Sequence, residues 1–223
     1  MACGLTLLTN VSGYKCSNAS LNYQVDLGDS IVSQISYSGV GTSSTPSTAS
    51  VYSVTIPANT VGVGTATSTS TGVPITETIT VTAGPCTGQS INVNITYKND
   101  PDINVVNSPS LPTYSSGDCT LYVQIEIIDE GTHNGGPTGA TSFTAYDDPA
   151  TGENPDFTSG STSSSYYETA SNGNSKTYDT YDTIPCFRDG EFSASYTDAC
   201  GVTVSISGGP FHCCCCPTKD PNC

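Results

Sequence analysis

Cysteine is the residue type with the most latent chemistry in this chain: eleven are present, at Cys3, Cys16, Cys86, Cys119, Cys186, Cys200, the run Cys213, Cys214, Cys215 and Cys216, and Cys223. The run follows His212, and thiolates with an imidazole are the donors zinc prefers. The spacing opposes that use. Structural zinc sites set paired ligands two to four residues apart, whereas adjacent residues of an extended chain point to opposite faces. Cys213 and Cys215 would then face one way and Cys214 and Cys216 the other, so cross-links within or between chains are the favoured expectation and zinc the lesser one. The other cysteines suit staples: Cys3 with Cys16 across an N-terminal loop, and Cys119, Cys186 or Cys200 between sheets. An odd total leaves at least one thiol free, metal-bound or joined to another chain.

Carboxylates come next. Asp147, Asp148, Glu153 and Asp156 fall in one turn-rich stretch, and hard oxygen donors on a loop suit calcium. Their order is not that of an EF-hand loop, and a solvated turn is the plainer expectation. Histidine chemistry has only His133, in a Gly-rich turn, and His212 to draw on. No nucleophile elbow, His-Glu-x-x-His helix or phosphate loop occurs. The chain is therefore expected to be no enzyme, with no cofactor beyond a calcium ion or, less favoured, zinc. Three Asn-x-Ser/Thr triplets, at Asn10, Asn18 and Asn94, are no more than chance supplies in a chain that is about 29% Ser and Thr.

The elements that must position these residues read as strands. Leu21, Tyr23, Val25 and Leu27 alternate with polar residues, the segment from Ile31 to Tyr37 continues in the same sense, and Val51 to Ile56 alternates again. From Ile75 to Val81, one side carries Ile75, Glu77, Ile79 and Val81, a face that Glu77 interrupts. Ile91 to Tyr97 and Tyr122 to Ile128 follow the same period. Each of the last two comes after a Gly-x-Cys-Thr corner, at Cys86 and Cys119, which suggests a duplicated module. Gly39 to Ser50 and Gly62 to Gly72 read as long hairpin loops or as strands at a subunit contact. A short strand is expected from Ser142 to Tyr146, and Ser159 to Ser165 is a soft tract. Tyr166, Tyr167, Tyr178 and Tyr181 are taken as strand residues before they are taken as a binding surface.

Near the C-terminus, Phe192, Ala194 and Tyr196 alternate with Ser193 and Ser195. A Thr-Asp-Ala-Cys-Gly turn follows, and then Val202, Val204 and Ile206 alternate with hydroxyl residues. This hairpin has one dry side and requires an opposing sheet, for which Tyr122 to Ile128 is the best match. The expected fold is all-β with essentially no helix: an N-terminal β domain over 1–99, a linker or crossing over 100–112, an acidic β-sandwich over 113–210, and a Cys-rich tail over 211–223.

Charge divides along the same line. Residues 1–99 carry a net −1 and residues 100–223 a net −14. Five cations cannot neutralise a row of phosphates, so nucleic acid is not an expected partner, nor is an anionic membrane. No run approaches the ~18 apolar residues of a membrane span. The first residues lack the basic and apolar regions of a secretory leader, so the expected location is an assembly reached without a cleavable signal peptide.

The segment Tyr196-Thr197-Asp198-Ala199-Cys200-Gly201-Val202-Thr203-Val204 resembles the last strand pair of immunoglobulin-like repeats in bacterial surface adhesins and in phage virion proteins that share such modules. The resemblance implies two immunoglobulin-like or related antiparallel β-sandwich domains. It also implies a structural subunit of a virion or extracellular filament, such as a capsid decoration, head-fibre or tail component, whose partners are copies of itself and other subunits. The alternative is a secreted or cell-surface adhesin that binds a host protein or glycan.

Overall fold

The computed structural model of the chain describes residues 3–107, 119–145, 160–163, 165–184 and 188–212. Among the described residues the regular structure is β throughout, apart from one 3-10 turn at Val32–Gln34. The chain divides into two compact units: residues 1–65 with 71–100, and residues 66–70 with 101–223.

The first unit contains β1 (Thr6–Leu7), β2 (Tyr14–Lys15), β3 (Leu21–Asp26), β4 (Ile35–Ser38), β5 (Thr42–Ser43), β6 (Val51–Ile56), β7 (Val73–Val81) and β8 (Ser90–Tyr97). They form two sheets, in the orders β1-β3-β6-β5 and β2-β8-β7-β4. Period-two side chains make this a sandwich. Tyr23 and Val25 of β3 and Tyr52, Val54 and Ile56 of β6 share one buried cluster with Ile79 of β7 and Val93, Ile95 and Tyr97 of β8. Each such aliphatic side chain removed from water stabilises the fold by roughly 1.5–3 kcal/mol.

The second unit contains β9 (Asp102–Val105), β10 (Cys119–Ile128), β11 (Thr138–Ala145), β12 (Gly160–Ser163), β13 (Ser165–Asn172), β14 (Ser175–Ile184), β15 (Arg188–Thr197) and β16 (Thr203–His212). Its sheets are ordered β13-β14-β10-β9 and β12-β11-β15-β16. The dry side of the β15–β16 hairpin, Phe192, Ala194 and Tyr196 with Val204 and Ile206, packs with Leu121, Val123, Ile125 and Ile127 of β10, as the alternation requires. Asp198 closes the turn between β15 and β16. Its Oδ1 accepts the Cys200 and Val202 amides at 2.9 and 2.8 Å, and Gly201 takes the left-handed backbone the turn needs, with φ +76°.

Several local expectations are corrected. Ile31 to Tyr37 is not one strand, because Gln34 Oε1 accepts the Ile31 amide at 3.2 Å and closes a 3-10 turn before β4 begins. The stretch read as linker contains β9, whose Ile103 is buried. The soft tract Ser159 to Ser165 supplies β12 and the start of β13, and the segment expected to be tail from residue 211 still belongs to β16 at Phe211 and His212. The two Cys-Thr corners are not equivalent: Cys86 lies in the β7–β8 turn, whereas Cys119 opens β10 itself.

Cys3 pairs with Cys86 and not with Cys16, the two Cα atoms being 5.2 Å apart. The antiparallel β7–β8 turn brings residue 86 to the chain's beginning, a proximity that sequence distance conceals. Cys16, Cys119 and Cys200 are also disulfide-bonded.

Candidate functional site

Among the described residues, each unit has a carboxylate–tyrosine tie that joins its two facing sheets. In the first unit the centre is Glu77, the residue that interrupts the apolar face of β7. It is 1% exposed. Tyr23, on β3 of the opposite sheet, donates its hydroxyl to Glu77 Oε2 at 2.8 Å. Tyr37, on the neighbouring β4, donates to the same oxygen. The Val40 amide donates to Oε1 at 2.8 Å, and the Gly41 amide donates to the Tyr37 hydroxyl at 2.8 Å. Three donors on one carboxylate supply what water would otherwise give, which is the condition for keeping such a group in a core.

The turn after β4 is shaped around this centre. A Cβ on Gly39 would stand 2.5 Å from the Tyr37 hydroxyl and 2.6 Å from the Glu77 carboxyl carbon. A Cβ on Gly41 would stand 2.5 Å from Val54 Cγ1. Glycine is thus required by close approach at both positions. The stretch that composition marks as a low-complexity loop is where the backbone closes over a buried charge.

Burial first, and then the bond to Glu77, push the Tyr23 and Tyr37 phenols well above the ordinary tyrosine range. Tyr97, buried in the same core, moves in the same direction through burial and the nearby Glu77 charge.

In the second unit the carboxylate is Asp129, directly after β10, and the phenol is Tyr196 near the end of β15. Tyr196 donates to Asp129 Oδ2 at 2.5 Å and accepts the Asn134 amide at 2.7 Å. Burial and the Asp129 bond raise the Tyr196 phenol, with the Asn134 amide pulling the other way. His133 stands beside it, 6.2 Å from the Tyr196 ring between centroids, and donates from Nε2 to the Asn174 carbonyl at 2.8 Å. On the flank of the unit, Tyr122 and Gln124 both donate to Asp179 Oδ1, at 3.0 and 2.9 Å.

The residues singled out from the sequence fare unevenly. Asp147, Asp148, Glu153 and Asp156 lie outside the described residues, as do Cys186, Cys213, Cys214, Cys215, Cys216 and Cys223. Among the described residues no three His, Cys, Asp or Glu side chains converge as a metal site. His133 is a turn residue held by a carbonyl. Tyr178 is a core residue, 4% exposed. Sequence reasoning missed Tyr23, Tyr37 and Tyr196 as carboxylate partners. The available signal was Glu77 at an inward position, which demands donors from the facing strands.

Chemically, both ties are enclosed. Tyr23 and Glu77 are each 1% exposed and Tyr196 2% exposed, with Tyr37 half-buried beside them, so what the arrangement does in the fold is join sheets. The first unit also presents to solvent a groove of about 520 Å³ between Leu7–Ser12 and β8, lined in part by Leu7, Leu8, Val11, Asn92, Val93 and Asn94. Compared with protein-family models and with curated proteins, the chain matches none.

Proposed function

We propose that this chain is a structural subunit of a virion or extracellular filament, built from two immunoglobulin-like sandwiches and acting through contacts between subunits. The observation that carries this reading is the strand order the two units have in common. Lettered in immunoglobulin fashion, β1-β3-β6-β5 and β9-β10-β14-β13 each run A-B-E-D or its reverse. The opposing sheets, β4-β7-β8 with β2 beside β8 and β11-β15-β16 with β12 beside β11, each contain C-F-G.

The buried ties support the same assignment. Tyr23 falls on B, Glu77 on F and Tyr37 on C, the three strands that in immunoglobulin domains carry the bridging cysteines and the buried tryptophan. A hydrogen-bonded pin stands in for the covalent one. Tandem sandwiches braced in this way transmit load between neighbours and need no cleft.

Sedimentation velocity of the full chain tests the reading. Defined oligomers that grow with concentration are expected, and a single monomeric species at every concentration would overturn it. The disulfides favour a second reading, a secreted or cell-surface adhesin, because such bonds persist in oxidising compartments. Saturable binding of the monomer to a glycan or host-protein panel would select that reading over the first.

A further inference from the structure

We propose that the open edge of β8, from Ser90 to Asn94, is the surface through which the first units of two copies of this chain join, by antiparallel pairing of β8 with β8 about a two-fold axis. The inference rests on the subunit reading above and assigns its contact. The direction of the backbone groups is fixed at both ends of the strand. At the start, the Val81 amide donates to the Gln89 carbonyl at 2.9 Å, so the odd-numbered residues of β8 face β7. At the end, β2 runs parallel to β8 and the Lys98 amide donates to the Lys15 carbonyl at 2.9 Å, so the even-numbered residues face away from β7.

β2 covers this outer side only at Thr96 and Tyr97. Among the described residues none hydrogen-bonds to the N–H or C=O of Ser90, Asn92 or Asn94 on it. The chain ahead of β2 does not fill the position, because β1 pairs with β3 in the other sheet. Residues 8 to 12 cross between the sheets instead, and the groove beside β8 is the gap they leave.

Three further features specify the occupant. Residues 90–96, Ser-Ile-Asn-Val-Asn-Ile-Thr, contain no charge and no proline, and the ladder with β7 runs through them without a register shift, the bulge of Gly88 and Gln89 opposite Val81 lying before them, so this stretch lacks the devices that protect an exposed edge. Thr78 and Thr76 donate their hydroxyls to Asn92 Oδ1 and Asn94 Oδ1 at 3.0 and 2.9 Å, which draws both carboxamides over β7 and clears the edge. The edge is also its own complement. An axis through Asn92 sets Asn92 opposite Asn92 of the second copy and Ser90 opposite Asn94, each an exchange of two backbone hydrogen bonds. The near-neutral first 99 residues permit two such units to approach, and the pairing would shelter Leu8, which is 53% exposed beside the groove.

Asn92→Lys tests this in the full chain, placing two like charges opposite one another at the axis while the exposed side chain leaves the β7–β8 ladder intact. At a concentration where the wild type sediments as a dimer or larger species, the variant is expected to lose that contact. Thr42→Lys, on the exposed edge strand β5 of the other sheet, is expected to keep it. Amide hydrogen exchange reads the same contact without mutation: the Asn92 and Asn94 amides should be protected in the assembled wild type and become fast on dilution. Assembly unchanged in Asn92→Lys, or fast Asn92 and Asn94 amides in the assembled wild type, would overturn the inference while leaving the subunit reading in place. A wild type that never associates would remove both.

Discussion

The two units solve one problem in opposite senses. In the first, the phenols come from β3 and β4 and the carboxylate from β7; in the second, the carboxylate follows β10 and the phenol comes from β15. Each tie crosses between the facing sheets of its own unit. They differ in position along the strands. Glu77 sits in mid-strand and is held by two phenols and the amide of a tight glycine turn, whereas Asp129 lies at a strand end, where the Asn134 amide of the following loop reaches the phenol that Asp129 holds. A carboxylate at mid-sheet has no route to solvent, so its donors must all be built in. Asp129 is just as enclosed, at 0% exposed, but the phenol it holds keeps the Asn134 amide when the carboxylate is removed, so the consequences of losing it should be smaller.

The largest expected effect follows directly. Glu77→Ala strands two buried hydroxyls and an amide, and should destabilise the first unit by about 3–5 kcal/mol, while Asp129→Ala should cost the second about 1–3 kcal/mol. Denaturant unfolding followed by hydrogen exchange in each unit measures both, and equal losses would break the comparison. Next is the covalent brace of the first unit. Replacing Cys3 and Cys86 by Ser opens a loop of sequence separation 83 and should cost about 2–4 kcal/mol, with the second unit's protection unchanged.

Alkaline pH sharpens the contrast more gently. Tyr23, Tyr37 and Tyr196 all have phenols raised in the folded state, so their stabilisation is complete below the unfolded value near ~10 and falls as pH climbs through the folded values. Above pH ~10 the unfolded chain releases protons that the folded one retains, at about 1 kcal/mol per buried tyrosine for each pH unit. The first unit, holding two phenols on one carboxylate, should open at lower pH than the second, as tyrosinate absorbance and exchange would record. The smallest effect is expected at the exposed Lys176–Glu168 pair between β13 and β14, 2.9 Å long, where Lys176→Ala should leave the unfolding midpoint unchanged.

Much of the fold is visible in the order of residues. Leu21 to Leu27, Val51 to Ile56, Ile75 to Val81 and Tyr122 to Ile128 alternate as half-buried strands do, and the hairpin through Tyr196 and Val204 could be matched to β10 by its single dry face. Gln34 was not readable in this way, since a side chain that turns back on the Ile31 amide leaves no mark on hydrophobic period. Nor were β9 and β12, whose residues resemble loop and become strand through pairing with β10 and β11.

The candidate site was half legible. Glu77 announced itself as an acid on an inward face, and that is a local fact of period two. Tyr23 lies 54 positions away and Cys86 lies 83 positions from Cys3, so which phenol meets the acid and which thiol meets its partner depended on how the sheets face and where their turns fall. Residue types and alternation thus determined by themselves that this chain folds as layered sheets with a charge inside one of them. Only the tertiary arrangement decided how that charge is satisfied and which strand edge is left open, because hydrogen bonds and strand order join residues that the chain keeps far apart.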